Sequence, residues 1–198
     1  MINAYNRFLL NVFVTWNAVE NTETWLNSNE DYTSNTIIAC YPHGRWSFNL
    51  IYQLCHPRLA NIGIATHTGS CFVPANAIIM ALLGKHRSMT VSKRSINKNL
   101  QIAPVAIVPG GGREAMLCNP NEKNVIRLYT KHIGFLKLAM ENKSKVVPCF
   151  TFATQFEYNN ILRVVDSFLF DTIGFPLNFL IPMGKVSPLL IMVFLALK

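Results

Sequence analysis

Along this chain, short β-branched or apolar runs repeatedly close on a turn and give way to residues at helical spacing, and that alternation restricts the chain to an α/β architecture. The first run is Thr36–Tyr41. Pro42 and Gly44 end it, and Trp46, Leu50, Ile51 and Leu54 then share one face of an expected helix over Arg45–His56, which Pro57 stops. Ile62–Thr66 before Ala75–Leu83, Ser88–Ser92 before Ile96–Leu100, and Val105–Val108 before a glycine loop repeat the pattern. Continuously apolar strands are covered on both faces, so the expected fold is a mixed, largely parallel sheet flanked by helices. A helix over Thr130–Glu141 and a buried strand over Val146–Phe152 continue the series, whereas the proline-punctuated tail from Ile161 fits no element.

A length of 198 residues suits one domain with a single core. Only 14% of the residues are charged against 51% hydrophobic, yet 18 Lys and Arg against 10 Asp and Glu leave a formal charge of +8. A soluble domain ordinarily carries about 25% charged residues. Few solvating groups with a basic excess fit a protein that meets an anionic surface or handles an apolar substrate with an anionic handle. The cations are not gathered into one helix or tail, so nucleic acid is not an expected partner.

Cys40, Cys55, Cys71, Cys118 and Cys149 show no close pairing and follow no cleavable signal, which reads as reduced thiols facing cytosol. Phe8–Val14 is short and broken by Asn11, so residues 1–35 are taken as an N-terminal segment able to associate with a membrane, and 36–198 as the sheet domain. Cys71–Gly84 and Ile173–Leu197 both fall short of the roughly 18 uninterrupted apolar residues of a membrane span. Leu197 meets the terminal Lys198 without a polar exit, and a C-terminally truncated domain is expected.

Ligands of open α/β sheets bind beyond the carboxyl ends of the strands, which directs attention to two turns. His43 follows the first strand between Pro42, which fixes the approach, and Gly44, which removes bulk beside the imidazole. It can take a proton from a hydroxyl near neutral pH, or serve only as a turn histidine bonded to backbone. After the fourth strand comes Pro109-Gly110-Gly111-Gly112-Arg113-Glu114, whose glycine amides can converge on a negative oxygen. Arg113 and Glu114 at its exit can orient a histidine, hold an anionic group, or form a solvated ion pair. Neither a nucleotide-binding loop nor a Gly-x-Ser-x-Gly elbow is present, no paired-cysteine or HExxH metal motif occurs, and no bound cofactor or metal is expected. Arg94, in the basic stretch Lys93-Arg94, is either a solvated cation or a contact for phosphate.

Taken in order, Tyr41-Pro42-His43-Gly44, Val91-Ser92-Lys93-Arg94, Val108-Pro109-Gly110-Gly111 and Glu114-Ala115-Met116 resemble the type 2 diacylglycerol acyltransferase family. Gly134-Phe135-Leu136-Lys137-Leu138-Ala139 and Val146-Val147-Pro148 are similar to its next block. The resemblance implies a glycerolipid-acyltransferase-like fold and transfer of a fatty acyl group from acyl-CoA, as co-substrate, to a lipid alcohol in triacylglycerol synthesis. That alcohol is diacylglycerol, monoacylglycerol or a fatty alcohol, and the expected place is the endoplasmic reticulum membrane with the site facing cytosol. It implies His43 as the catalytic base, Pro42 and Gly44 shaping its turn, and Gly110, Gly111 and Glu114 in the second active-site block. Tyr41 stands where the family usually has histidine, and Phe48 stands five residues after His43, where related glycerophosphate enzymes place Asp. Glu114 is then the carboxylate to pair with His43, and Gly112 completes the oxyanion-binding bend. Arg94 and Arg113 would hold a head group in the alternative reading, a lysophospholipid acyltransferase. A non-catalytic membrane or lipid-droplet protein is the remaining alternative.

Overall fold

Strand β1 is Thr36–Tyr41, and its five residues Thr36 to Cys40 are all closed to solvent, as a strand covered on both faces requires. The computed structural model describes residues 34–42, 44, 61–67, 88–119, 121–122, 125–151, 158–160, 162–174 and 180–182. Around β1 stand β2 (Gly63–Thr66), β3 (Ser88–Thr90), β4 (Val105–Ile107) and β5 (Lys145–Phe150) in the order β3-β2-β4-β1-β5. Every pair in this sheet is parallel. The antiparallel element is a separate two-stranded sheet of β6 (Tyr158–Asn160) and β7 (Leu180–Pro182), drawn from the tail that fitted no element in sequence.

Helices α1 (Lys93–Leu100), α2 (Gly111–Leu117), α3 (Gly134–Asn142) and α4 (Arg163–Ile173) are the helices among the described residues. Ser92 starts α1 by accepting the Ser95 amide at 3.2 Å, which extends the helix toward its N-terminus beyond the expected Ile96–Leu100. Ile96 and Leu100, one turn apart, bury against the sheet beside Leu138 and Ala139 of α3, closing a core with Ile37, Val105 and Ile107. On the opposite sheet face Ile38, Cys40, Ile64 and Ala106 are also buried. Burial on both faces explains why these strands read as unbroken apolar runs.

The structure corrects several expectations. The glycine loop after β4 is in fact the start of α2. Helix α3 begins at Gly134 rather than Thr130, because the residues before it are held in a turn against the glycine bend. Strand β5 is not buried: it forms an edge of the sheet, only Val147 is closed to solvent, and Pro148 sits where an edge tolerates a missing amide. The expected helices Arg45–His56 and Ala75–Leu83, the Phe8–Val14 segment, Cys55 and Cys71 lie outside the described residues. Cys40, Cys118 and Cys149 are free thiols. Among the described residues no helix is long and apolar enough to cross a membrane.

Asn35 ties this frame together at the entry to β1. Its φ of 67° is left-handed, its side-chain amide donates to the Asn142 carbonyl at 3.0 Å, and its side-chain oxygen accepts the Ser144 hydroxyl. Its backbone joins Leu100 and Lys145, so one residue links the ends of α1 and α3 to β1 and β5. Asn35→Ala is expected to cost about 3 kcal/mol, from the lost side-chain hydrogen bonds and the strained backbone. Asn35→Gly, which relieves only the backbone, should recover about 1 kcal/mol of that in urea unfolding.

Candidate active site

Neighbouring strands carry the two turns to the same end of the sheet. β1 and β4 pair Ile37 with Val105, Ile38 with Ala106 and Ala39 with Ile107. Because β1 and β4 are neighbouring parallel strands, Pro42 after β1 and the Pro109–Gly112 bend after β4 lie at the same end of the sheet. Segments far apart in sequence thus meet where parallel sheets bind ligands. Pro42, Gly44 and Glu114 line a shallow, open cleft of about 20 Å³, with Leu117, Val125 and Ile126 as its apolar wall. His43 itself lies outside the described residues, but its neighbours on both sides line this cleft with the carboxylate. Gly44 has a φ of +65°, a conformation other side chains rarely adopt.

Glu114 is only 1% exposed, although it belongs to the first turn of α2. Its Oε2 accepts the backbone amide of Tyr129 at 2.9 Å, and the carboxylate lies so close over Gly110 that a side chain there would collide with it. Burial, and next the Glu114 charge, push the Tyr41 phenol above its ordinary value of 10.0, so the carboxylate's field reaches the end of β1. His132 Nδ1 lies 3.1 Å from the Pro109 carbonyl, and its ring meets that of Tyr129 edge-on with centroids 4.7 Å apart. Residues 129–132 therefore strap both the carboxylate and the bend.

The remaining expected site residues are dispersed. The Gly111 amide donates to the Val108 carbonyl at 3.1 Å, which engages it in the turn, and its φ is +53°. A Cβ on Gly112 would stand 2.5 Å from the Phe170 ring, so that face is occupied by α4. Arg113 turns away from Glu114 to pair with Asp171 of α4, its guanidinium 5.0 Å from the Phe170 ring centre. Arg94 lies exposed on α1, after strand β3, which is separated from β1 by β2 and β4. Neither arginine lines the cleft.

Three participants escaped the sequence reading. Arg127 and Asn119 line the cleft, where Glu122 accepts from both: from Asn119 Nδ2 at 3.0 Å, and from Arg127 Nε and Nη2 at 3.0 and 2.8 Å. Tyr129 acts through its backbone amide, which no residue-type pattern reveals. Among the described residues no group of His, Cys, Asp and Glu could hold a metal ion.

A buried carboxylate beside an apolar-walled cleft, with a histidine-bearing turn at its rim, suits proton transfer next to an apolar substrate. Comparison with known proteins shows the family. The family described as Diacylglycerol acyltransferase matches residues 18–179. Diacylglycerol O-acyltransferase 1 of Schizosaccharomyces pombe is 30% identical over 149 residues, covering 69% of this chain and 40% of that protein. Acyl-CoA wax alcohol acyltransferase 1 of Mus musculus is 30% identical over 147 residues, covering 70% of this chain and 44% of that protein. The chain thus spans less than half the length of these relatives. No solved structure matches it.

Proposed function

The chain belongs to the diacylglycerol acyltransferase family, and on that premise we propose that it transfers a fatty acyl group from acyl-CoA to the hydroxyl of diacylglycerol or a related neutral lipid alcohol. The observation that carries this reading is the cleft shared by Pro42, Gly44 and Glu114. In the proposed reaction His43 takes the acceptor's hydroxyl proton as its oxygen attacks the thioester carbonyl. The resulting tetrahedral oxyanion is met by backbone amides of the Gly110–Gly112 bend other than that of Gly111, which Val108 engages, each such donor contributing about 3 kcal/mol. The carbon–sulfur bond then breaks, the ester is released, and the coenzyme A thiolate takes the proton back from the imidazolium. Glu114 holds the imidazole's orientation and favours its charged form during the transfer, as a triad carboxylate does.

Among the described residues, the two arginines of this region are already matched, which favours a neutral acceptor over one bearing phosphate. Nε and Nη2 of Arg127 both donate to one oxygen of Glu122, and Arg113 is paired with Asp171. A lysophospholipid acyltransferase would need such a charge available for the head group. An acceptor of this kind is dissolved in membrane, and we infer that the reaction takes place at the endoplasmic reticulum membrane with the cleft toward cytosolic acyl-CoA. The test is labelled oleoyl-CoA offered with diacylglycerol, a fatty alcohol or lysophosphatidate, with products separated by thin-layer chromatography. Labelled triacylglycerol or wax ester is expected. Labelled phosphatidate alone would move the chain to the phosphate-bearing class, and no product with any acceptor would favour a non-catalytic lipid-binding role.

A further inference from the structure

Helix α3 buries Leu138 and Ala139 in the core and packs Phe135 against it. Its other side has no folding reason to be apolar, yet Ile133 is 49% exposed, Leu136 43% and Met140 73%. Positions 133, 136 and 140 fall on one helical stripe. Lys137 on α3, Lys143 at its C-cap and Lys131 in the turn before it are exposed, and Lys98 is exposed on α1, which packs beside it. The acidic residue of α3, Glu141, is paired with Lys93. An apolar stripe edged by cations complements a surface that is apolar within and anionic at its border.

We propose that this face of α3 is where the protein docks on an anionic lipid bilayer, with Leu136 and Met140 entering the acyl boundary and Lys137 and Lys143 meeting lipid phosphates. The inference rests on the acyl-transfer reading for its purpose, because it explains how the cleft reaches a membrane-dissolved alcohol. Ile133 directly follows His132, whose ring touches the Pro109 carbonyl, so the stripe starts at the edge of the glycine bend. A bilayer against α3 therefore lies beside the end of the sheet that carries the cleft.

The test is co-sedimentation of the whole chain with vesicles of phosphatidylcholine alone or with a third of the lipid as phosphatidylserine, with no substrate present. Lysines at an anionic surface are each worth about fivefold in partitioning, so Lys137→Ser with Lys143→Asn should weaken binding to the anionic vesicles about 25-fold and hardly alter binding to neutral ones. Leu136→Ser with Met140→Ser should weaken both by about tenfold or more. These side chains are exposed, and unchanged thermal unfolding will verify that each variant is folded. Undiminished binding by both variants would overturn the proposal. So would loss of binding on Phe168→Ser alone, which would move the contact to the exposed face of α4, where Phe168 is 69% exposed. A dimer that the α3 variants dissolve without changing vesicle binding would likewise make the stripe a contact between copies. Binding is read without turnover, so a chain inert toward every acceptor that still docks through α3 would fail the acyl-transfer reading alone.

Discussion

His43→Ala is expected to lower turnover with oleoyl-CoA and diacylglycerol by roughly a thousandfold while leaving the protein folded. A positioned general base contributes about 10² to 10⁴ in rate, and His43 stands in sequence between Pro42 and Gly44, two residues of the cleft wall. Pro42 and Gly44 shape that turn through their own backbone, so the substitution should leave the thermal midpoint nearly unchanged. The KM for acyl-CoA should stay within a factor of a few, because the base acts in the transition state rather than on the thioester's ground state. If His43 were only a turn histidine bonded to backbone, the pattern would reverse: the midpoint would fall and the remaining folded protein would turn over normally. His43→Gln, which keeps a hydrogen-bonding side chain without its basicity, separates the two cases and should be as slow as alanine.

Gly110→Ala is expected to be the most damaging methyl group that can be added to the described site. The new carbon would overlap the Glu114 carboxylate, which has no room to retreat because it is buried and holds the Tyr129 amide. Overpacking costs about 1 to 3 kcal/mol, and an abandoned buried amide about as much again. A loss near 3 kcal/mol corresponds to a thermal midpoint lower by about 6 to 12 °C in a chain of this size. Activity should fall further than stability explains, since the carboxylate is driven from its place. Adding Glu114→Gly to Gly110→Ala removes every colliding atom, the Glu114 Cβ included, so the double variant should be more stable than the summed single losses predict. Gly134→Ala is the matched control: a Cβ there meets nothing within 4 Å, and little change is expected.

How much of this was legible in sequence depended on whether the relevant contact is local. Thr36–Tyr41 was readable to the residue because a strand buried on both faces needs unbroken apolar side chains, and the turn after it carries its own proline and glycine. The parallel sheet followed from the alternation alone. The strand order did not, and it is the strand order that sets β4 beside β1 and joins the two turns. Arg113 and Glu114 read as a pair because they are adjacent. On a helix, however, adjacent residues point about 100° apart, so one reaches Asp171 on α4 while the other turns inward. The three glycines disguised α2 as a loop, since glycine is a poor helix former. Close approach explains two of them, with Glu114 over Gly110 and Phe170 against Gly112. The residues at helical spacing in Thr130–Glu141 are Ile133, Leu136, Lys137 and Met140, and the structure puts them on the exposed side of α3 rather than in its core. That outward repeat also placed the helix start too early.

The claim on which the account rests is that the His43 turn and the Glu114 bend act as one unit, and a double-mutant cycle on turnover tests it most directly. Glu114→Gln keeps an oxygen for the Tyr129 amide, so its effect on rate can be read in a folded protein. The account predicts that Glu114→Gln slows the wild-type chain substantially, but adds almost nothing once His43 is alanine, because groups serving one step are strongly non-additive. Equal fractional losses from Glu114→Gln with and without His43 would contradict it.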